Sequence, residues 1–389
     1  MALIKNLNEL FELTVIHNSD TIQEVDDISF IKVSENKGSL AFMLSRSIRL
    51  LRRHFGLNLS PMFENIFGFS FTFSSISKGF LTSLRSINIS QYDLVITLSQ
   101  GESYVPHFAM LKFRSLHNVW LAYFHDPYPA EFYPKSYSFK GSGSRQKIEF
   151  MRTVMTCAKY LGFPAKNLAD WMQKKYELYS NQVIIIPHQI HLEKDEEKGV
   201  LLPDFFNVDE FNILHAGNIL KQRNPLALIE AFELFLSQNL GAKAHSNLYF
   251  VGHLSEYHVE MLKGIDSLNI HFMEKLNYEI VQELQRKSSV NVILESNDEI
   301  SPFLPGKITD CVNSGRPILA LSPKNSEIRN LLGNDYPFQS AADDINVILR
   351  QINQLYKLWV TKELTQDYNE LKTYLGIENL NKTMKSILN

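Results

Sequence analysis

The sequence contains 389 residues, 44% of them hydrophobic, which suits a globular protein with two domains of ordinary size. Its net charge of −3 argues against broad nucleic-acid binding, because proteins of that class usually carry a strongly basic face. Cys157 and Cys311 are the only cysteines, so the sequence predicts no disulfide framework and a reducing, cytoplasmic location. No run of about 18 apolar residues occurs, and we therefore expect no membrane-spanning helix.

The chain opens on an amphipathic segment. Residues 3–12 carry leucines at helical spacing and predict a helix, and residues 13–17 and 28–33 predict two strands. A doubly wound domain normally begins with a strand and a glycine-rich turn. Because a helix stands in that place, we expect the first domain to lack its first strand.

The next predicted helix, residues 41–54, is rich in arginine. Arg46, Arg49, Arg52 and Arg53 could face lipid phosphates at a membrane surface, or they could form an ordinary solvated helix face. The pattern alone favours the solvated face, while peripheral contact with a membrane stays open.

Two strong strand signals follow, over residues 92–99 and 119–129. The second runs into a polar, proline-rich loop that contains His125 and Asp126. Ligands of parallel sheets collect at the carboxyl ends of the strands, so these two side chains are candidates for a functional site. The loop over residues 133–146, rich in Ser, Gly and Tyr, could cover or contact a ligand.

The first half ends with predicted helices over residues 147–161 and 163–176 and a strand over residues 183–187. Residues 191–199, HLEKDEEKG, form a charged run without an apolar face. Such a run is typical of an exposed linker, and it predicts a boundary between two domains.

The second half alternates strands with helices. Strands are predicted over 212–216, 248–251, 269–273, 291–294 and 317–321, and helices over 225–238, 256–264, 278–287 and 307–314. This alternation predicts a parallel sheet covered on both faces, and hence an α/β fold with two Rossmann-like domains facing each other across a cleft. We expect domains over 1–195 and 205–355, with terminal helices in 356–389 that return to the first domain.

The stretch from 211 to 232 predicts a strand, a loop and a helix that begins at Asn224 and Pro225. Gly217 ends the strand, and Lys221 and Arg223 lie in the loop. A helix N-terminus with two cations beside it favours anions, and a nucleoside diphosphate is a natural ligand. The alternative is an ordinary strand-loop-helix turn with two solvated basic residues.

Two segments taken together resemble the family 4 glycosyltransferases of the GT-B fold. They are HAGNILKQRNPLALIEAF, residues 215–232, and PFLPGKITDCVNSGRPILAL, residues 302–321. The resemblance implies that the first segment holds the donor diphosphate through Gly217 and Arg223, with help from Lys221. Asn218 stands where the family commonly has arginine.

The second segment departs from the family pattern at one position. Asp310 matches the family's second glutamate, which implies a contact with the donor ribose, but Pro302 replaces the first glutamate. Glu299, Ser301 or a backbone N–H of that loop could substitute for the lost contact. Lys307, at the start of the following helix, could reach the donor phosphates.

In the first half, FHDPYP resembles the family's strand-end loop near the transferred sugar, which implies catalytic roles for His125 and Asp126. The resemblance implies sugar transfer from a nucleoside diphosphate sugar to a glycan or lipid-linked acceptor, with retained configuration. No residue cluster has metal-site spacing, so we expect neither metal nor cofactor. Two alternatives remain open, a sugar-nucleotide epimerase and a non-catalytic subunit.

Overall fold

The computed structural model describes residues 1–20, 25, 27–34, 37–101, 103–179, 182–190, 200–265 and 267–388. These residues form two compact units. The first comprises Met1–Pro187 with Asn379–Asn389, and the second comprises His188–Glu378. The predicted linker at 191–199 lies outside the described residues, and the domain ranges expected from the sequence stay a prediction.

The first unit alternates helices with short strands. In chain order they are α1 (Ala2–Asn8), β1 (Thr14–His17), β2 (Ser29–Lys32), α2 (Leu40–Phe55), α3 (Ser60–Phe67), α4 (Phe71–Ser86), β3 (Val95–Leu98), α5 (Val105–Met110), β4 (Trp120–Tyr123), α6 (Ser144–Cys157), β5 (Tyr160–Phe163), α7 (Lys166–Tyr176) and β6 (Val183–Ile185). Strands β3, β4, β5 and β6 form one parallel sheet in sequence order, and β1 pairs with β2 in a second parallel sheet. The chain therefore opens on a helix, as the sequence predicts.

Strand β5 lies partly inside a segment that the sequence assigns to helix. The predicted helix over residues 147–161 is wrong beyond Cys157, because Ala158 takes an extended conformation. Gly162 then packs so closely on β4 that an added Cβ would lie 2.7 Å from Leu121 and 2.8 Å from Tyr123. A strand of four residues with such a glycine has too little apolar pattern to be distinguished from the end of a helix.

The second unit continues with β7 (Phe211–Ala216), α8 (Leu226–Gln238), β8 (Ser246–Val251), α9 (Glu256–Leu262), β9 (Ile270–Met273), α10 (Tyr278–Lys287), β10 (Val290–Leu294), β11 (Ile300–Ser301), α11 (Ile308–Ser314), β12 (Ile318–Leu321), β13 (Asn325–Ser326), α12 (Glu327–Leu332), β14 (Gln339–Ser340), α13 (Ile345–Val360), α14 (Asn369–Tyr374) and α15 (Ile377–Leu388), whose last residues belong to the first unit. The main sheet is parallel, in the order β14-β12-β10-β7-β8-β9.

This strand order is that of a doubly wound nucleotide-binding sheet. Counted from β7, the strands lie in the order 3-2-1-4-5-6 across the sheet. The chain reverses its direction of winding between β7 and β10, which are neighbours. Ligands of such sheets bind at the carboxyl ends of the two strands that flank this switch point. The residues after Ala216 and Leu294 are therefore placed where a ligand site is expected.

Helix α15 completes the core of the first unit. Leu380, Met384 and Ile387 pack with Leu7 of α1 and with Leu121 of β4. The side chain of Tyr160 also donates a hydrogen bond to the carbonyl of Ile387. Burial of these side chains fixes the end of the described chain to the first sheet.

Candidate functional site

Two glycines form the floor of the site at the carboxyl ends of β7 and β8. Gly217 has φ +139° and Gly252 has φ +143°, a region that favours glycine. A Cβ on Gly252 would lie 2.6 Å from the carbonyl oxygen of Gly217, so the two turns are in backbone contact. The N–H of Gly217 donates to the carbonyl of Val251, which holds the turns together.

The loop after Gly217 is fixed by its neighbour. The side-chain oxygen of Asn218 accepts a hydrogen bond from the backbone N–H of His253, 3.1 Å away. Asn218 thus braces the two loops in the position where the family commonly has arginine. Lys221 is exposed, and its Nζ lies 5.4 Å from the centre of the Tyr257 ring.

Helix α8 begins beside this loop. Its first residue is Leu226, one residue later than the sequence predicts, and the Asn224 side chain accepts from the N–H of Leu226. The N-cap is therefore Pro225 and not Asn224 as predicted, and the Asn224 side chain closes the turn that precedes the helix. Arg223 lies immediately before this turn, partly buried, with its N–H bonded to the carbonyl of Leu220.

Lys307 reaches the same place from the start of α11. Its Nζ lies 3.2 Å from Nε2 of His215 and 3.1 Å from the point where a Cβ on Gly217 would be. Burial, followed by the positive charge of Arg223, lowers the pKa of Lys307 to about 7. Burial and the charge of Lys307 likewise hold the pKa of His215 well below its usual range, so the imidazole is neutral.

Glu295 is a site residue that the sequence analysis missed. It follows β10 directly, at the switch point, and its Oε1 accepts a hydrogen bond of 2.5 Å from the hydroxyl of Ser301. Its Oε2 has no hydrogen-bond partner in the described part of the chain. Burial raises the pKa of Glu295 to about 7, although Ser301 and the charge of Arg223 act in the opposite direction.

Three basic side chains act electrostatically on this carboxyl group. The charges of Arg223, Lys307 and Arg329 all lower the pKa of Glu295, so each lies within electrostatic reach of it. Arg329 in turn donates to the carbonyl of Ser322, just after β12. Position alone could have found Glu295, since a carboxylate immediately after a buried strand is unusual in an otherwise apolar run.

Asp310 lies one turn into α11 from Lys307. Its Oδ1 accepts a hydrogen bond of 2.8 Å from the hydroxyl of Tyr278, and the amide of Gln282 lies 3.5 Å away. Burial raises the pKa of Asp310, while these two contacts lower it. The carboxylate is thus oriented by side chains of α10, neither of which the sequence analysis identified.

The first unit holds the two predicted catalytic residues. His125 follows β4, and its backbone N–H donates to the hydroxyl of Ser99, which also lies 3.2 Å from Nδ1 of the ring. The buried Tyr104 donates to the carbonyl of Asp126, and burial raises the pKa of that tyrosine. The imidazole ring packs edge-on against Tyr123. These contacts fix the loop at the carboxyl end of β4.

The structure thus brings Gly217, Arg223 and Lys307 together. Ser301 is hydrogen-bonded to the neighbouring Glu295. Asp310 lies on the helix whose N-cap is Lys307. His125 and Asp126 belong to the other unit. Within the described ranges, no three His, Cys, Asp or Glu side chains are grouped to hold a metal ion. None of the helices in those ranges has the length and apolar content to cross a membrane.

The sequence matches no protein-family model and no curated protein sequence. Solved structures do match. A UDP-forming trehalose-phosphate synthase from Burkholderia xenovorans, in complex with glucose-6-phosphate, is 11% identical, with a TM-score of 0.61 over 96% of this chain and 90% of that one. WaaG, a glycosyltransferase of lipopolysaccharide biosynthesis, is 13% identical, with a TM-score of 0.58 over 99% and 93%.

A third match is a S. aureus TarM variant in complex with Fondaparinux, alpha-GlcNAc-glycerol and UDP. It is 14% identical, with a TM-score of 0.54, over 81% of this chain and 59% of that one. All three are two-domain glycosyltransferases of the GT-B fold. The fold class expected from the sequence is therefore confirmed: this chain has the GT-B fold with Rossmann-like α/β domains.

Proposed function

We propose that the protein is a glycosyltransferase that moves a sugar from a nucleoside diphosphate sugar to a glycan or lipid-linked acceptor. The observation that carries this proposal is the group of Gly217, Arg223 and Lys307 at the switch point of the second sheet. Lysine and arginine together at a glycine turn supply the charge that a diphosphate needs, at the place where doubly wound sheets bind nucleotides.

Each residue of this group has a role in donor binding. Arg223 can hold phosphate oxygens through a bidentate contact, and Lys307 acts as a point charge. Because Gly217 has no Cβ, the Lys307 amine can lie beside its backbone. The hydrogen bond from the His253 N–H to Asn218 fixes the loop after Gly217 to the loop after β8. Lys221, exposed at the rim, adds positive potential.

The other end of the nucleotide is assigned to α10 and α11. Asp310, oriented by Tyr278, accepts hydrogen bonds from the ribose hydroxyls. Ser301 and Glu295 take the place of the family's missing glutamate at position 302, with the Oε2 of Glu295 as the acceptor for a donor-sugar hydroxyl.

The proposed chemistry needs no metal. The bond between the anomeric carbon and the phosphate oxygen breaks while the acceptor oxygen bonds to the same carbon, with retained configuration, and the acceptor proton leaves with the diphosphate. Negative charge grows on the leaving phosphates, where Arg223 and Lys307 stabilise it. His125, held by Ser99, orients a hydroxyl of the sugar or acceptor, and Asp126 supports it.

The site assignments extend to location and partners. We place the protein in the cytoplasm, with a nucleotide sugar as donor and with peripheral contact to the inner face of a membrane when the acceptor is lipid-linked. UDP is the first donor nucleotide to test, because the trehalose-phosphate synthase is UDP-forming and the TarM structure contains UDP.

A turnover assay with a panel of UDP-, GDP- and ADP-sugars tests the proposal. We expect nucleoside diphosphate release that depends on an added glycan or lipid acceptor and persists in the presence of EDTA. Acceptor-independent release of free sugar would instead favour a sugar-nucleotide epimerase. Donor binding with no turnover on any acceptor would favour a non-catalytic subunit, and absence of binding by every nucleotide sugar would contradict the proposal.

A further inference from the structure

Exposed apolar side chains are concentrated in one part of the first unit, between α2 and α3. Leu40 is 70% exposed, Phe55 71%, Ile66 60% and Phe67 60%. Met43, Leu50, Leu57 and Met62 are also exposed. Scattered single apolar residues are normal on a protein surface, whereas so many within one short stretch of the chain indicate a surface that meets another body.

Helix α2 arranges its share of these residues in a line. Leu40, Met43 and Leu50 recur at spacings of three and seven residues, which places them on one face, where the exposed polar side chains of Ser47 and His54 also lie. The opposite face, with Ala41 and Ser45, is buried, and Ser45 forms a hydrogen bond with Thr72 of α4. The apolar line therefore points away from the body of the unit.

The helix ends are well defined, so this line is a fixed feature. Ser39 caps the first turn through a hydrogen bond from the N–H of Phe42, and Gly56 ends the helix in the left-handed conformation. Arg46, Arg49 and Arg53 lie beside the apolar line on the same exposed side.

Helix α3 also exposes apolar side chains. Its polar side is tied to the unit, because Lys147 pairs with Glu64 at 3.1 Å and the N–H of Gly143 donates to Asn65. Met62 and Ile66, four residues apart, remain exposed. We name the exposed apolar and basic residues of 40–67 the α2–α3 face.

The α2–α3 face is positively charged although the whole chain is negative. Residues 40–67 contain four arginines and one glutamate, which gives +4 − 1 = +3, against −3 for the complete sequence. The glutamate is Glu64, which is already paired with Lys147. The uncompensated charge of this surface is therefore that of arginine.

We propose that the α2–α3 face docks on the surface of an anionic lipid bilayer. Its apolar line enters the boundary between head groups and acyl chains, and its arginines bind lipid phosphates at the edge of that line. Phe55, the last residue of α2, and Leu57, in the link between the helices, enter the same layer. The surface lies on the membrane without spanning it, since α2 has 16 residues and carries four arginines.

Two other occupants fit less well. A second copy of this chain in a two-fold dimer would place the same arginines opposite each other, at a cost in like-charge repulsion. A nucleic acid would match the arginines but would leave the apolar line against phosphates. The proposal rests on the membrane contact of the proposed function and assigns a surface to it, while vesicle binding is measured without the donor site or catalysis.

Sedimentation of the full chain with lipid vesicles tests the proposal. We expect binding to phosphatidylcholine vesicles that contain phosphatidylglycerol and much weaker binding to vesicles of phosphatidylcholine alone, with a decrease at high salt. Inorganic phosphate at matched ionic strength should not displace the protein. Displacement by inorganic phosphate would show a site for the free ion and would overturn the bilayer assignment.

Two sets of variants measure separately how much the arginine charges and the apolar side chains contribute to vesicle binding. Replacing Arg46, Arg49 and Arg53 by glutamine should weaken binding roughly fivefold per arginine, or about 100-fold together. Met43→Ser combined with Leu50→Ser should also weaken binding, with circular dichroism unchanged because both residues are exposed. Arg350→Gln, an exposed arginine of the second unit, is the matched control and should bind as wild type.

The outcomes that would overturn the proposal are concrete. Wild-type protein that does not bind anionic vesicles, or binding that neither variant set weakens, would contradict it. A concentration-dependent dimer that Met43→Ser with Leu50→Ser dissociates would assign the α2–α3 face to a second copy instead.

Discussion

The carboxyl ends of the two sheets carry different kinds of chemistry. In the second unit, ionisable side chains are buried together, and the pKa values of Lys307 and Glu295 are both moved to about 7. In the first unit, the strand ends carry a hydrogen-bonded network in which His125 is held by Ser99 and the Asp126 carbonyl by Tyr104. The buried ionisable side chains of the second unit suit a charged ligand. The hydrogen-bonded network of the first unit suits a neutral, hydroxyl-rich ligand.

This difference predicts that donor binding depends on the second unit and that turnover depends on the first. If the second unit holds the diphosphate and the first unit orients hydroxyls, substitutions in the second unit should weaken donor affinity. Substitutions at the strand ends of the first unit should lower kcat and leave donor affinity unchanged. Single substitutions in either unit test whether donor binding and turnover are separate in this way.

The largest expected effect is at His125. The variant His125→Ala should lower kcat by about 100-fold or more, as loss of a side chain that acts on protons or hydroxyls in the transition state does. Calorimetric affinity for the donor nucleotide should be unchanged. The matched control is His117→Ala, a histidine of the same unit that lies before the amino end of β4, with Nε2 3.3 Å from the carbonyl of Met110. Weakened nucleotide binding in His125→Ala would contradict the separation.

The second effect is at Gly217. In Gly217→Ala the new Cβ would lie 3.1 Å from the Lys307 amine, on a backbone with φ +139°. We expect donor affinity to fall by roughly tenfold or more, together with a loss of about 1 kcal/mol or more in the free energy of unfolding. Gly241→Ala is the control, because a Cβ there meets nothing within 4 Å. Equal affinities in both variants would show that the amine is not positioned for phosphate.

At Asp310 we expect a loss of about tenfold. Asp310→Ala removes a charged acceptor of the ribose hydroxyls, which typically costs about 1.5 kcal/mol or more. Titration with a nucleoside diphosphate should show the loss, whereas titration with inorganic pyrophosphate should not, because pyrophosphate has no ribose. Asp335→Ala, an exposed carboxylate of the same unit, serves as the reference. A loss with both ligands would move Asp310 to the phosphate end.

The smallest effect is in the pH dependence of binding. The pKa of Lys307 is lowered to about 7, so this amine loses its proton as pH rises through 7 in the ligand-free protein. A bound diphosphate raises that pKa, so binding takes up a proton above pH 7 and affinity falls as pH increases. Between pH 7 and 8 we expect a decrease of roughly fivefold.

Calorimetry in two buffers of different ionisation enthalpy measures this proton uptake. The proton uptake should be visible from pH 7.5 to 9. The terminal phosphate of the ligand has a pKa of about 6, so it does not titrate in that range. Lys307→Arg should reduce the uptake to what Glu295 contributes, because arginine keeps its charge at every pH in that range whereas the pKa of Glu295 is also about 7. Proton uptake that persists unchanged in Lys307→Arg would assign it to another group.

The fold was largely predictable because its signals are local. Alternating apolar strands and amphipathic helices marked every long element of the second unit, and Leu228 and Phe232 are buried on α8 as their spacing indicates. Strand β5 was not predicted, because four residues that include a glycine show too little hydrophobic periodicity to indicate a strand. Gly217, Arg223 and Lys307 were found because motifs fix their place in the chain.

His215 and Tyr278 could not be found in the same way, and the only local signal for Glu295 is its position directly after a buried strand. Their importance depends on side chains that are distant in sequence, such as Lys307 for His215 and Asp310 for Tyr278. Only the strand order, which places β7 beside β10, brings His215 and Glu295 to one end of the sheet. Local periodicity contains no information on that order.

The central claim is that the second unit binds a nucleoside diphosphate at the turn between β7 and α8, with Arg223 on the phosphates. Calorimetric titration of the full chain with UDP, GDP and ADP tests it most directly. We predict saturable binding of one of them by wild type and by Arg350→Ala, and an affinity at least about tenfold lower for Arg223→Ala with unchanged circular dichroism. Equal affinity in Arg223→Ala and wild type would contradict the claim.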